Sequence, residues 1–284
     1  MKAIDSAIVT IIKKPFILIF WGVLMLILIM FEYLMPVFKM LHQLSAVSGS
    51  NSFESIMSFI QVLYGYLNNG KTVLTAVVIC VIILAALSVL ISVLLSGYFY
   101  ILNNAVYKRQ QQKVLFSKGV KKYFRTVWLI TFTVLFLGLL LLIVMAVSSF
   151  PALVITRATI AMDEGKEMLS AALFVDVLTC IVLFFGSMFF KIYTVFLYPA
   201  AVNNGNSVKN VFSKAKKFAD ENFWKVFCSL LIFDLVFIGF QILFINFVSS
   251  GWVFLLKWIF LTLFFALFTT YIFATYKRYS EKIY

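Results

Sequence analysis

Apolar residues in this chain come in long unbroken runs rather than at the alternating or three-to-four spacing of a soluble fold. Six runs reach the length a helix needs to cross a hydrocarbon core, about 20 residues. They are Pro15 to Met35, Val73 to Leu95, Val127 to Val147, Ala171 to Phe190, Val226 to Phe247 and Trp252 to Phe273. All six predict helices, because an isolated strand would leave backbone N–H and C=O groups unpaired in lipid and no run alternates like a barrel strand. The first run lacks a small-residue cleavage site and continues through Glu32 and Tyr33 to Pro36, so it reads as a retained span rather than a signal peptide. The expected fold class is all-α: a polytopic six-helix transmembrane bundle forming a single integral membrane domain over residues 1–284.

Between the runs the pattern changes to helical amphipathicity. In "KNVFSKAKKF" (Lys209 to Phe218) and its continuation, Val208, Val211, Phe212, Ala215, Phe218, Ala219 and Phe223 fall on one face, opposite Lys209, Lys216, Lys217, Asp220 and Glu221. "KVLFSKGVKK" (Lys113 to Lys122) is nearly the same text, with Phe116, Val120, Phe124 and Val127 opposite Lys118, Lys121, Lys122 and Arg125. The N-terminus has a matching stripe, Ile4, Ala7, Ile8, Ile11 and Ile12, ahead of Lys13 and Lys14. Each copy predicts an amphipathic interfacial helix, its apolar face in the bilayer and its lysines among the headgroups. The second and sixth runs also end alike, in "AVYKRQQQKV" (Ala105 to Val114) and "ATYKRYSEKI" (Ala274 to Ile283). These echoes suggest a threefold parallel helical-hairpin repeat at residues 1–109, 110–208 and 209–284. Each unit would comprise an interfacial helix, an outward span and an inward span, unlike the inverted repeats of many transporters.

Two inward runs look too long for a single span. The uncharged stretch from Thr72 to Tyr107 would make a helix of about 54 Å at about 1.5 Å per residue, against a core of about 30 Å. Either the helix projects into the cytoplasm or it bends, with Ser96-Gly97 the candidate hinge. The fourth run passes Lys191 into "IYTVFLYPAAVNN", where Pro199 is the expected break and the continuation is expected along the inner interface. Outside, Phe53 to Leu67 suits an amphipathic surface helix, Pro151 and Gly165 bracket a short helix-prone piece, and Ser249 to Gly251 reads as a tight turn.

Composition agrees with lipid as the solvent: 63% of residues are hydrophobic and 12% charged, with 33 Phe and a mean hydropathy of +1.05. A soluble domain carries about a quarter of its residues charged. The net charge of +13 would suggest nucleic acid in a soluble protein, but here its placement accounts for it. Most of the 24 basic residues fall in the N-terminal segment, the second and fourth connections and the C-terminal tail. The positive-inside rule then places both termini in the cytoplasm of a plasma membrane, in agreement with an even number of spans. Lys113, Lys118, Lys121, Lys122, Lys209, Lys216 and Lys217 become candidate contacts for anionic lipids on that face, and no nucleic-acid partner is expected. Cys80, Cys180 and Cys228 lie singly within runs and read as small packing residues.

Ionisable groups inside the runs are the candidates for function, since each is costly in lipid unless paired or hydrated. Lys191 lies at the cytoplasmic end of its run and Lys257 near the outer turn, between Trp252 and Trp258, so both are placed to snorkel. Asp234 lies near the middle of the fifth run and must be protonated, paired or reached by water. With Gln241 seven residues on, it forms a polar seam whose role is either a structural hydrogen bond or proton or substrate coupling. Asp176, near the outer end of its run, is a candidate partner for Lys257. No catalytic template is met: the one histidine, His42, lies in an outer loop, and no phosphate-binding glycine motif occurs. No cofactor or metal is expected. Asn103, Asn104, Asn203, Asn204 and Asn206 suit helix caps and headgroup contacts at the inner ends of spans.

"YPAAVNNGNSVKNVFSKAKKFADENFWKVFCSLL" (Tyr198 to Leu231) resembles a group of bacterial six-helix membrane proteins. The group includes the membrane domain found ahead of some glycerophosphodiester phosphodiesterase catalytic domains, and stand-alone relatives. Pro199, Ser213, the Asn222-Phe223-Trp224-Lys225 step and the closing "TYKR" carry the likeness. The catalytic domain has no counterpart here, so the resemblance implies no phosphodiesterase activity. The expectation is a non-enzymatic multi-pass membrane protein for transport or export of a small or lipid-like solute, alone or with a membrane-protein partner or as a homo-oligomer. The alternative is a membrane assembly or immunity factor that acts by binding another membrane component. The first predicts a solvated Asp234, the second a dry, buried one.

Overall fold

Helix ends fall where the sequence removes a backbone donor or supplies a cap. The computed structural model describes residues 2–34, 70–107, 115–161, 166–204, 207–246 and 251–283. Helix α1 (Lys2–Lys13) stops ahead of Pro15 and turns by 86° into α2 (Phe16–Leu34). Helices α3 (Gly70–Val106), α4 (Phe116–Ala161) and α5 (Lys166–Val195) follow. Helix α5 ends four residues before Pro199, whose missing N–H would have closed on the Val195 carbonyl. The proline instead occupies the first turn of α6 (Leu197–Asn204), where no intrahelical donor is needed. Helix α7 (Val208–Glu221) is closed by Asn222, whose backbone N–H and side-chain amide both donate to the Phe218 carbonyl, at 3.2 and 3.1 Å. The Asn222 carbonyl then accepts from Val226 to open α8 (Phe223–Asn246), and α9 (Gly251–Ile283) completes the chain. Among the described residues there is no strand.

Helices α3, α4, α5, α8 and α9 are long and apolar enough to cross a membrane, and α2, taken with α1 across their bend, makes a sixth. The chain is thus an all-α, multi-pass membrane protein. Its densest packing lies toward the end where α1 packs against α9 and where most of the described lysines lie, here termed the basic end. One cluster joins Ile17 and Trp21 of α2, Tyr98, Phe99 and Leu102 of α3, Val127 of α4 and Phe273 of α9. A second joins Ile130 of α4, Met188 and Ile192 of α5, Ala200 and Ala201 of α6, Val211, Ala215 and Phe218 of α7, and Val226 and Leu230 of α8. Tyr198 of α6 packs against both. Polar side chains lock the first cluster: Trp21 Nε1 donates to the Tyr98 hydroxyl at 2.8 Å and to Thr269 Oγ1 at 3.2 Å, tying α2, α3 and α9 together. Trp258 Nε1 fastens α9 to α2 again through the Gly22 carbonyl at 2.7 Å.

Helices α3 and α4 approach closely through small residues. Ser88, Ser92 and Ser96 are fully buried at four-residue spacing, and Trp128 Nε1 donates to Ser88 Oγ at 2.9 Å. Gly97 receives the Phe116 ring, while Gly119 lies against the Cβ of Tyr100 and the carbonyl of Ser96. Such small-residue seams let backbones meet in lipid, where apolar burial alone gives little drive to associate. Farther from the basic end the helices present apolar side chains outward: Ile79 and Ile82 of α3, Leu142 and Val147 of α4, Phe174 and Val182 of α5. None of the five single-helix spans buries more than 22% of its most apolar segment among the described residues, which suits a surface solvated by acyl chains.

Several expectations are corrected. The "KVLFSKGVKK" copy is not a separate interfacial helix. From Phe116 it runs unbroken into the α4 span, because Lys121 to Trp128 contain no Pro, Gly or Asn to stop it. The apolar stripe of α7 does not face lipid: Val211, Ala215, Phe218 and Ala219 are buried against the protein. Of the two alternatives for the long second run, α3 takes the unbroken one: it continues through Ser96-Gly97, whose small size serves the α4 contact. The segment after α5 enters the core as α6, with Leu197, Ala200, Ala201 and Val202 buried, and does not lie along the interface. The piece after Pro151 is the continuation of α4 to Ala161. Cys80, Cys180 and Cys228 are exposed rather than packed. The expected outer helix at 53–67, the turn at 249–250 and His42 lie outside the described residues.

Candidate functional site

Two charged side chains within the spans meet. The buried stripe of α8, Val226 and Leu230, continues at helical spacing to Asp234, halfway along the helix. On α5, Met188 and Ile192 are buried in the core, and Lys191 sits beside them on the flank turned toward α8. Lys191 Nζ donates to both carboxylate oxygens of Asp234, at 2.8 Å to Oδ1 and 2.7 Å to Oδ2. The bond joins the middle of α8 to the last turns of α5. Its charges cancel formally, which is how a membrane-embedded carboxylate and ammonium are retained without either being left alone in lipid. Helices α5 and α8 also meet through the ring pairs Phe189–Phe223 at 5.4 Å and Phe185–Phe227 at 6.3 Å.

The pair is not sealed. Its side chains are 44% exposed for Lys191 and 29% exposed for Asp234, so the pair stays partly accessible at the α5–α8 crossing. Such an arrangement can do two things chemically. It can present a compact zwitterion to a polar group arriving from the side, or open when a proton or an ion competes for the carboxylate.

The sequence placed Asp234 as the leading in-span polar residue and required a partner, proton or water for it; the structure supplies the partner. It missed the identity of that partner. Lys191 lies near the end of its apolar run, and distance from the run's end pointed to the headgroups. Opposite charges on neighbouring inward and outward spans were the available signal, since a lysine stem spans several ångströms and crossing helices bring unequal sequence depths together. Gln241 lies on the same face of α8 as Asp234 and is half-buried. Asp176 on α5 and Lys257 on α9 are also half-buried and each has an interaction of its own.

Of the candidate lipid contacts, Lys118, Lys121, Lys122, Lys209, Lys216 and Lys217 are all exposed at the basic end, and Lys113 lies outside the described residues. Lys122 lies over the Tyr123 ring, and Lys217 is 3.8 Å from Glu221. The asparagines serve packing as much as capping: Asn103 is buried, and Asn203 donates to the Tyr107 hydroxyl at 2.8 Å, joining α6 to α3. Lys277 secures the same corner by donating to the Val106 carbonyl at 3.1 Å. Among the described residues no group of three or more His, Cys, Asp or Glu side chains is placed to hold a metal ion. Compared with protein-family models, with curated proteins and with solved structures, the chain matches none, and its site is read from its own geometry.

Proposed function

We propose that the chain is a non-enzymatic protein of the bacterial plasma membrane that moves a lipid-like solute, with the Lys191–Asp234 pair on its path. The basic end faces the cytoplasm in this reading, so both termini are cytoplasmic and the lysines of α4 and α7 rest on anionic headgroups. The observation that carries it is the partly exposed ion pair within the spans, which this reading takes to be reached from the side. A soluble solute needs a water-filled route, whereas a lipid-like one needs a polar foothold reachable from the bilayer, and a lateral zwitterion supplies that. The resemblance of the Tyr198 to Leu231 segment to lipid-enzyme membrane domains points the same way.

A second reading, a membrane assembly or immunity factor, draws support from the low burial of the spans, which leaves broad flanks for another membrane protein or a second copy. The two readings separate in proteoliposomes containing a phospholipid with a fluorescent headgroup, with a membrane-impermeant quencher added outside. Transport predicts that the protein exposes inner-leaflet label to the quencher faster than protein-free vesicles do, and that Asp234→Asn slows this by about tenfold or more, the loss of one charge-assisted contact. Quenching confined to the outer leaflet at the protein-free rate would reject transport of phospholipid-like solutes and leave the assembly reading.

A further inference from the structure

At the basic end lies a cavity of about 290 Å³ between α1, α8 and α9, lined by neither Lys191 nor Asp234. Two cations line the cavity, Lys225 of α8 and Arg278 of α9, and among the described residues no carboxylate does. Among the described residues neither cation forms an ion pair; Lys225 Nζ rests over the Tyr279 ring at 5.4 Å. One wall is held by a relay in which the Tyr271 hydroxyl donates to Ser229 Oγ at 2.7 Å and Ser229 Oγ donates to the Lys225 carbonyl at 2.8 Å.

Thr275 is the exception in this wall. It is 6% exposed, and its hydroxyl has no hydrogen-bond partner. Thr262, Thr269 and Thr270 on the same helix all return their hydroxyls to the carbonyl four residues back. A buried hydroxyl left unpaired is a standing cost in a ligand-free protein and asks for a missing partner. The cavity also continues onto apolar surface, since Ile4 of α1 and Ile232 of α8 line it and are exposed.

From these features we infer that the cavity is a binding site for a phosphate-bearing amphiphile. Lys225 and Arg278 hold the phosphate, the guanidinium offering paired donors to two of its oxygens. The Thr275 hydroxyl gains a partner when the site fills, and the acyl chains leave along Ile4 and Ile232. A free phosphate ion shares the headgroup chemistry but has no use for the apolar exit. The site uses no residue of the α5–α8 pair, so either assignment can fail without the other.

The test is thermal unfolding of the full chain in detergent, titrated with dihexanoyl phosphatidic acid, with dihexanoylglycerol and with inorganic phosphate. The phosphatidic acid is expected to raise the unfolding temperature saturably, and the phosphate-free glyceride to leave it unchanged. Lys225→Gln with Arg278→Gln should weaken the effect about tenfold or more. Thr275→Val guards against a folding artefact. It should raise the unfolding temperature of the ligand-free protein, by removing an unpaired hydroxyl, yet shrink the gain from phosphatidic acid. Equal stabilisation by the glyceride, or an undiminished gain in the Lys225/Arg278 variant, overturns the site. Equal stabilisation by inorganic phosphate overturns the lipid as its source.

Discussion

Replacing Asp234 with Leu should destabilise the protein by about 3 kcal/mol, because the Lys191 ammonium would then remain within the spans without its carboxylate. Lys191→Met should cost a similar amount for the mirror-image reason. The double variant, Lys191→Met with Asp234→Leu, should return to within about 1 kcal/mol of the parent, since removing both charges removes the need for pairing. The checking measurement is a double-mutant cycle of unfolding in mixed detergent micelles, which isolates the coupling between two contacting residues. A coupling of about 2 kcal/mol or more is expected from a lysine that engages both carboxylate oxygens. Additive losses would mean that the two side chains do not meet.

The second large effect belongs to Gly119. A Cβ placed there would stand 2.6 Å from the Tyr100 Cβ and 3.0 Å from the Ser96 carbonyl, and neither neighbour can turn aside. Gly119→Ala should therefore push α3 and α4 apart at a cost of about 2 kcal/mol despite alanine's better helix propensity. Gly119→Leu should prevent the native crossing. Gly97 is the control: its close neighbour is the Phe116 ring, which can rotate, so Gly97→Ala should cost less than Gly119→Ala. Unfolding temperatures of the three variants in one detergent give the order. If the two alanine variants prove equal, the backbone contact at Gly119 is not what sets the α3–α4 distance.

These two sites illustrate what the chain displays openly and what it does not. The spans were legible because hydrocarbon imposes a length and excludes charge, and both constraints act on composition over a window rather than on single residues. The amphipathic stripes at α1 and α7 were legible for the same reason, but periodicity does not say what covers an apolar face. The stripe of α7 is covered chiefly by α6, with α5, α8 and α9, not by acyl chains. Local punctuation decided the rest. Pro15 and Asn222 separate α1 and α7 from the spans they precede, while the middle copy of the same motif lacks a breaker and fuses with α4. Gly119 occupies the position that Ala215 takes in the α7 copy, a difference of one methyl whose meaning appears only when Tyr100 is seen against it.

The candidate site was half legible. An aspartate within a span announces itself in any apolar run, but its partner is fixed by how helices cross, which no local pattern encodes. The cavity at Thr275 left no mark in the sequence, because a threonine near the end of a span reads as ordinary until its hydroxyl is found unpaired.

The decisive measurement is phospholipid movement in proteoliposomes by the double variant Lys191→Met with Asp234→Leu, which keeps the fold's stability and removes its in-span polarity. If the pair lies on the solute's path, this variant unfolds at nearly the parental temperature yet exposes inner-leaflet label no faster than protein-free vesicles. Movement at the parental rate would contradict the proposal and reduce Lys191–Asp234 to a structural tie between α5 and α8.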